Sequence, residues 1–155
     1  MTTLRAAAAD YRQSGLSVFA VNGKKPLTRW KSFTDRLPTE SELEKMPWGR
    51  ATGIALALGP VSGGVIARDF DTTDSYIQWR ASNPMLAQML PTARTSRGYH
   101  VFFRWIEPIK TQTLGNGELR GEKAYIIIPP SQHPSGNQYQ WLHGSINDTP
   151  VAHPE

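Results

Sequence analysis

Two aspartates one residue apart, Asp69-Phe70-Asp71, end the apolar run Val65-Ile66-Ala67. On a strand, residues i and i+2 project from the same face, ~6.5–7 Å apart along it. Like charges so placed repel, and a hard divalent cation relieves the repulsion; Mg²⁺ is commonly held by one or two carboxylates together with substrate phosphates. The same residues also read as a strand that simply ends in solvated acids. A second group, Ser96-Arg97-Gly98-Tyr99-His100, places a hydroxyl, a guanidinium and an imidazole around a glycine turn. These are phosphate-binding donors, or else a hairpin turn with a half-exposed histidine. Glu118-Leu119-Arg120 puts a third carboxylate and an arginine on one strand face, for a cation and a phosphate or for a mere surface ion pair.

Two further stretches carry weaker signals. After the apolar run 124–128, Pro129-Pro130 stiffens a loop containing Ser131 and His133. His133 is offered to a substrate there, or both residues satisfy loop backbone groups. Lys24, Lys25, Arg29, Trp30 and Lys31 form a basic, aromatic-bearing segment suited to nucleic acid, or a solvated charged face.

The elements that must hold these groups follow from pattern. A helix is expected over 4–13, capped by Thr2 or Thr3 and stopped by Gly15. Strands are expected over 16–21, 53–59, 65–71, 92–96, 100–105, 118–120, 124–128 and 138–141. Thr39 and Glu42 make a capping box for a short helix that Pro47 stops. A helix over 74–83 has Tyr76, Ile77 and Trp79 to bury. The chain should be frayed from Asn147. Continuous apolar strands beside alternating ones point to an α+β (mixed α/β) fold whose sheet mixes parallel and antiparallel pairs.

Composition bounds the rest. A chain of 155 residues suggests one domain. It contains no cysteine, which excludes disulfides, a thiol nucleophile and cysteine-bound zinc, and suits a reducing, cytoplasmic setting. No apolar run approaches the ~18 residues of a membrane helix, so no membrane partner is expected. The net charge of +4 favours polyanionic partners.

The order of the motifs is more specific than any one of them. Asp-x-Asp ends a strand; about thirty residues on, Ser-x-Gly-x-His opens another; Glu-Leu-Arg then precedes an apolar strand running into Pro-Pro-Ser-x-His-Pro-Ser-Gly and Tyr139-x-Trp141. With Gly15-Leu-Ser-Val-Phe-Ala-Val21, Lys25-Pro-Leu and Gly53-Ile-Ala-Leu56, this resembles the bifunctional primase–polymerase domain of the archaeo-eukaryotic primase superfamily, which serves plasmids and phages. The resemblance runs from Ala7 to Trp141. It implies an N-terminal α/β unit and a C-terminal RRM-like unit with the active site between them, over residues 1–145. The stretch 146–155 would be a flexible tail leading to an accessory or helicase region of a longer protein.

By the same resemblance, Asp69, Asp71 and Glu118 would be the catalytic metal ligands for Mg²⁺ or Mn²⁺. Glu118 is one methylene longer than the family's usual aspartate. Ser96, Arg97, His100, Arg120 and Lys31 would bind the nucleoside triphosphate, and Lys24, Lys25, Arg29 and Trp30 the DNA template and primer. The implied reaction is template-dependent nucleotidyl transfer to a 3′-hydroxyl, by two-metal phosphoryl transfer. Two other readings use some of the same residues: a non-catalytic nucleic-acid-binding initiator module, which needs no acids, and a metal-dependent nuclease, which needs no nucleotides.

Overall fold

The computed structural model describes residues 3–150 together with Ala152 and Pro154, apart from the Asp148 side chain. Helix α1 (Leu4–Gln13) starts at Thr3, whose side chain accepts the Ala6 amide at 3.1 Å. Gly15 follows its end at φ +88°, the left-handed backbone that glycine adopts without penalty. The chain then enters β1 (Val18–Asn22), turns at Gly23-Lys24 and returns as the two-residue β2 (Lys25–Pro26). The basic segment is therefore half of a hairpin rather than a free loop. A 3₁₀ turn (Lys31–Thr34) leads to α2 (Glu40–Glu44), where Thr39 and Glu42 form the expected capping box.

Next come β3 (Gly53–Ala57), β4 (Val65–Phe70), α3 (Thr73–Ser82) and α4 (Pro84–Met89). The C-terminal half adds β5 (Thr92–Arg94), β6 (Tyr99–Arg104), β7 (Gln112–Leu114), β8 (Gly117–Arg120), β9 (Tyr125–Ile128) and β10 (Gln140–His143). Neither α4 nor β7 is expected from the sequence. Each is short, and β7 has no buried residue to give it a pattern.

The strands form two sheets, ordered β2-β1-β3-β9 and β10-β5-β6-β4-β8-β7. Every pairing among them is antiparallel, which corrects the expected mixed sheet. The continuous apolar run of β3 reflects burial on both faces, and that does not require a parallel neighbour. Because β9 returns to the first sheet, no single cut in the chain separates the two sheets.

One core joins α1, α2 and the first sheet to Val65, Ala67, Ala93 and Phe102 of the second. A second core lies on the opposite face of the larger sheet, where Ile66, Phe70, Val101, Phe103 and Leu119 meet Tyr76 and Trp79 of α3 and Ala87 of α4. Tyr76 and Trp79 are three apart and share this face, whereas Ile77 lies about 100° round the helix and is 42% exposed, against expectation. The alternation along β4 therefore sends Phe70 into the second core and Asp69 towards the other sheet.

Of the stretch read as a tail, Ile146 and Thr149 are buried and the Ala152 amide donates to the Arg104 carbonyl at 3.0 Å. Residues 151, 153 and 155 lie outside the described part, as does the alternative cap Thr2.

Two buried hydroxyls stitch these parts together. Ser131 Oγ accepts the Ile54 amide at 2.8 Å and donates to the Ile128 carbonyl at 2.5 Å. Gly53 leaves it room, since a Cβ there would lie 2.4 Å from that Oγ. The Tyr11 hydroxyl donates to the Pro129 carbonyl at 2.7 Å and accepts from Trp141 Nε1 at 3.2 Å. Burial pushes the Tyr11 phenol up to about 12, against the opposing pull of the Trp141 hydrogen bond.

Ser131→Ala should cost about 1–3 kcal/mol in urea unfolding by stranding the Ile54 amide. It should leave activity per folded molecule unchanged. The Tyr11 phenol is raised in the folded state, so its contribution is complete below pH ~10 and fades as pH climbs from ~10 towards 12. Tyr11→Phe should flatten that alkaline decline in a pH series of thermal melts.

Candidate functional site

The two sheets part on the side where β4 ends, leaving a cleft of about 230 Å³. Its position follows from register. His100 of β6, Asp69 of β4 and Glu118 of β8 are direct cross-strand partners, with Ala93 of β5 beyond His100. Side chains paired in this way share a face, so one row across four strands reads Ala93, His100, Asp69, Glu118. The next row carries Phe102, Ala67 and Arg120. Asp71 lies one residue past the end of β4 and is exposed.

The end of β4 is held by backbone. Thr95 and Gly98 close the turn between β5 and β6 through the Thr95 amide to the Gly98 carbonyl at 2.9 Å and the Gly98 amide to Thr95 Oγ1 at 3.0 Å. A Cβ on Gly98 would lie 1.8 Å from the Phe70 carbonyl oxygen. On the other side, Gly117 opens β8 at φ +131°, and a Cβ there would lie 2.0 Å from the Asp69 carbonyl oxygen. Two glycines thus clamp the acid-bearing backbone.

The electrostatics centre on Asp69. Burial alone would raise its carboxyl, but the His100 hydrogen bond, with the positive charge of Arg120 and Lys24, outweighs this and holds it below the usual carboxylate range. His100 Nε2 lies 3.3 Å from Asp69 Oδ1, and Arg120 Nη1 lies 3.6 Å from Glu118 Oε1. His100 Nδ1 and Arg120 Nε are buried without a hydrogen-bond partner among the described residues. Tyr139, itself raised by burial and by the Asp69 charge, sits between two histidines, its ring 6.2 Å from that of His100 and 6.2 Å from that of His133. His133 Nδ1 accepts the Ser135 amide at 3.1 Å, and Ser135 Oγ lies 3.3 Å from Ser96 Oγ, which joins the two loops at the cleft mouth.

Of the residues singled out by sequence, Lys24, Asp69, Asp71, Ser96, Arg97, His100, Arg120 and His133 line the cleft. Glu118 is next to Asp69 in register, with its carboxylate turned to Arg120. Ser131 does not reach the cleft; it is fully buried and spends its hydroxyl on backbone. Lys25, Arg29, Trp30 and Lys31 are not brought to the cleft either. The Trp30 ring stacks on Phe19 at 5.8 Å and meets Tyr125 edge-on at 4.9 Å, so it serves packing. Tyr125, Tyr139, Ile126 and Ile127 line the cleft without having been assigned a role from sequence. Tyr139 stood in a motif, but its inward direction depends on a loop path that pattern does not encode.

The carboxylate oxygens of Asp69, Glu118 and Asp71 suit a hard divalent cation in kind. Among the described residues, however, no three acidic or histidine side chains converge into one ion-holding group. Lys24, Arg97 and Arg120 set basic groups around Asp69 and Asp71 at the cleft, a charge pattern that suits phosphate-bearing ligands. The chain belongs to the bifunctional DNA primase/polymerase, N-terminal, family, whose model matches residues 8–155. Members act in DNA priming and polymerisation and are generally dependent on a divalent metal. No curated protein matches the chain. Among the described residues, no helix is long and apolar enough to cross a membrane.

Gly98→Ala tests the clamp. It should lower stability by about 1–3 kcal/mol, as overpacking does, because backbone must give way. It should also reduce activity of the folded fraction, whereas Gly115→Ala, with open space around its Cβ, should do much less on either measure.

Proposed function

We propose that this domain is a template-dependent nucleotidyltransferase that adds nucleotides to a 3′-hydroxyl. The observation that carries the reading is Asp69 beside His100 in a cleft also lined by Asp71, Ser96, Arg97 and Arg120, with Glu118 next to Asp69 in register. Asp69, Asp71 and Glu118 would hold the divalent cation, Mg²⁺ or Mn²⁺. That ion, once bound, supplies charge stabilisation for the attacking and leaving oxygens.

The protein's own part is positioning and electrostatics. His100 and Arg120 would meet the triphosphate oxygens; His100 Nδ1 and Arg120 Nε have no hydrogen-bond partner among the described residues. Arg97 and the Ser96 hydroxyl hold the outer phosphates at the Gly98 turn, and Lys24 adds positive charge from the opposite sheet. Tyr139, Ile126 and Ile127 keep water from the inner wall. The 3′-hydroxyl loses its proton as it attacks the α-phosphate, and pyrophosphate leaves. Lys25 and Arg29, exposed on the segment that begins with the cleft-lining Lys24, would meet template and primer backbone. Family resemblance supports a place in plasmid- or phage-type replication, an RRM-like character for the larger sheet and a helicase region as partner.

Primer extension on a labelled primer–template, with all four deoxynucleoside triphosphates and Mg²⁺ or Mn²⁺, tests this. Asp69→Ala and Asp71→Ala should lose on the order of 10²-fold or more in rate while staying folded. His100→Ala should chiefly raise the nucleotide KM. Extension by either Asp variant at the wild-type rate would sink the assignment. Primer shortening without nucleotides would mark a nuclease, and DNA binding without turnover a binding module.

A further inference from the structure

The alternation that turns Asp69 to the cleft turns its neighbours to the opposite face of the larger sheet. There Gln140, Arg94, Tyr99 and Phe70 are successive cross-strand partners on β10, β5, β6 and β4. Side chains so paired share a face, and the row runs from solvent to core. Gln140 and Arg94 are exposed, Tyr99 is half-buried and Phe70 is fully buried. Tyr99 is the outermost ring of the aromatic cluster on that side. It stacks on the buried Tyr76 of α3, with centroids 4.3 Å and planes 29° apart, and the exposed Arg80 lays its guanidinium over the Tyr76 ring at 5.5 Å. Arg94 forms no ion pair among the described residues. The proposed nucleotidyl transfer uses none of Arg80, Arg94, Tyr99 and Gln140.

We infer that this second face binds single-stranded DNA and carries the template strand beyond the cleft. The inference rests on the proposed template-dependent reading and adds the route the strand takes.

The physical reason is the pairing of a fixed ring with free positive charge. An unpaired base exposes its π-face, and aromatic rings and arginine planes both stack on it; the same arginines neutralise phosphates. Tyr99 is already held by Tyr76, so a base that settles on it has little side-chain freedom to quench. A duplex hides its base faces, which makes a single strand the better fit. The face is also continuous with the cleft. The turn Thr95–Gly98 forms the rim between them: Ser96 and Arg97 line the cleft, and Arg94, at the other end of the turn, lies on the far face beside Tyr99. A strand that crosses this rim passes from one arginine to the other.

Fluorescence anisotropy of a labelled single-stranded oligodeoxynucleotide, without metal or nucleoside triphosphate, tests the surface directly. Arg94→Gln should weaken binding about threefold or more and flatten the slope of log K against log salt by about 0.7, the loss of one phosphate contact on a single strand. Tyr99→Leu should weaken binding about fivefold or more, whereas Tyr99→Phe, which keeps the ring, should bind like wild type. Lys45→Gln, which removes an exposed charge at the end of α2, should change neither affinity nor slope. In primer extension, wild type should use a long template overhang better than a short one. Arg94→Gln and Tyr99→Leu should lose that advantage and extend on the short overhang at the wild-type rate. If Arg94→Gln and a folded Tyr99→Leu bind the oligonucleotide like wild type, the path is overturned while the cleft reading stands. It is overturned equally if Lys45→Gln matches Arg94→Gln, since bulk charge then explains the effect, or if a blunt duplex binds as tightly as the single strand, since stacking then plays no part. Should Tyr99→Leu not fold by circular dichroism, Arg94→Gln, at an exposed position, decides alone. Binding that depends on Arg94 and Tyr99 without any primer extension would support the surface and overturn the nucleotidyltransferase reading, so the two failures are distinguishable.

Discussion

A carboxylate at the inner end of a cleft between two sheets is the constraint on which this molecule turns. Asp69 occupies a position whose strand neighbours Val65 and Ala67 enter a core, and burial works against its charge. The fold answers with register. Antiparallel pairing on one side supplies His100 and on the other brings the backbone of Glu118 and Arg120 alongside. The charge is kept because donors surround it, at the cost of a tightly specified backbone on both flanks.

That requirement explains the local sequence. Gly98 and Gly117 stand where any side chain would strike the carbonyls of Phe70 and Asp69. Phe70, Tyr76 and Trp79 form an aromatic cluster behind the acids, with ring centroids 5.4–6.2 Å apart, so the strand is rigid from the side opposite the cleft. The other wall is built by the first sheet and the loop after β9. Ser131 anchors that loop to Ile54, and the loop returns His133 and Tyr139 to face His100. Chemistry and scaffold divide along the strand: odd positions of β4 face the cleft side, even positions the packed side.

The motifs were legible because their chemistry depends on short spacings. Asp69 lies in β4 and Asp71 one residue past its end, both lining the cleft, and the glycine turn before His100 leads straight into β6. The capping box at Thr39 and the buried aromatic pair on α3 are equally local. Sequence reading fared worse where burial came from both sides. The apolar run of β3 looked parallel, yet pairing direction is set by which distant segments flank it. Trp30 beside lysines looked like a nucleic-acid platform, yet Phe19 and Tyr125 claim its ring through contacts that no window of sequence contains.

By itself, then, the sequence determined the family, the elements that carry the acids, and the residue types available to bind a cation and phosphates. These follow from local periodicity and from the order of motifs. Only the tertiary structure decided which of them meet. It set Asp69 between His100 and Glu118, returned β9 to the first sheet to make the opposite wall, and took Ser131 and Trp30 for packing. It also paired the acids with His100 and Arg120. Strand register and side-chain pairing are long-range outcomes, chosen by the burial of two cores at once, and local spacing holds no record of them.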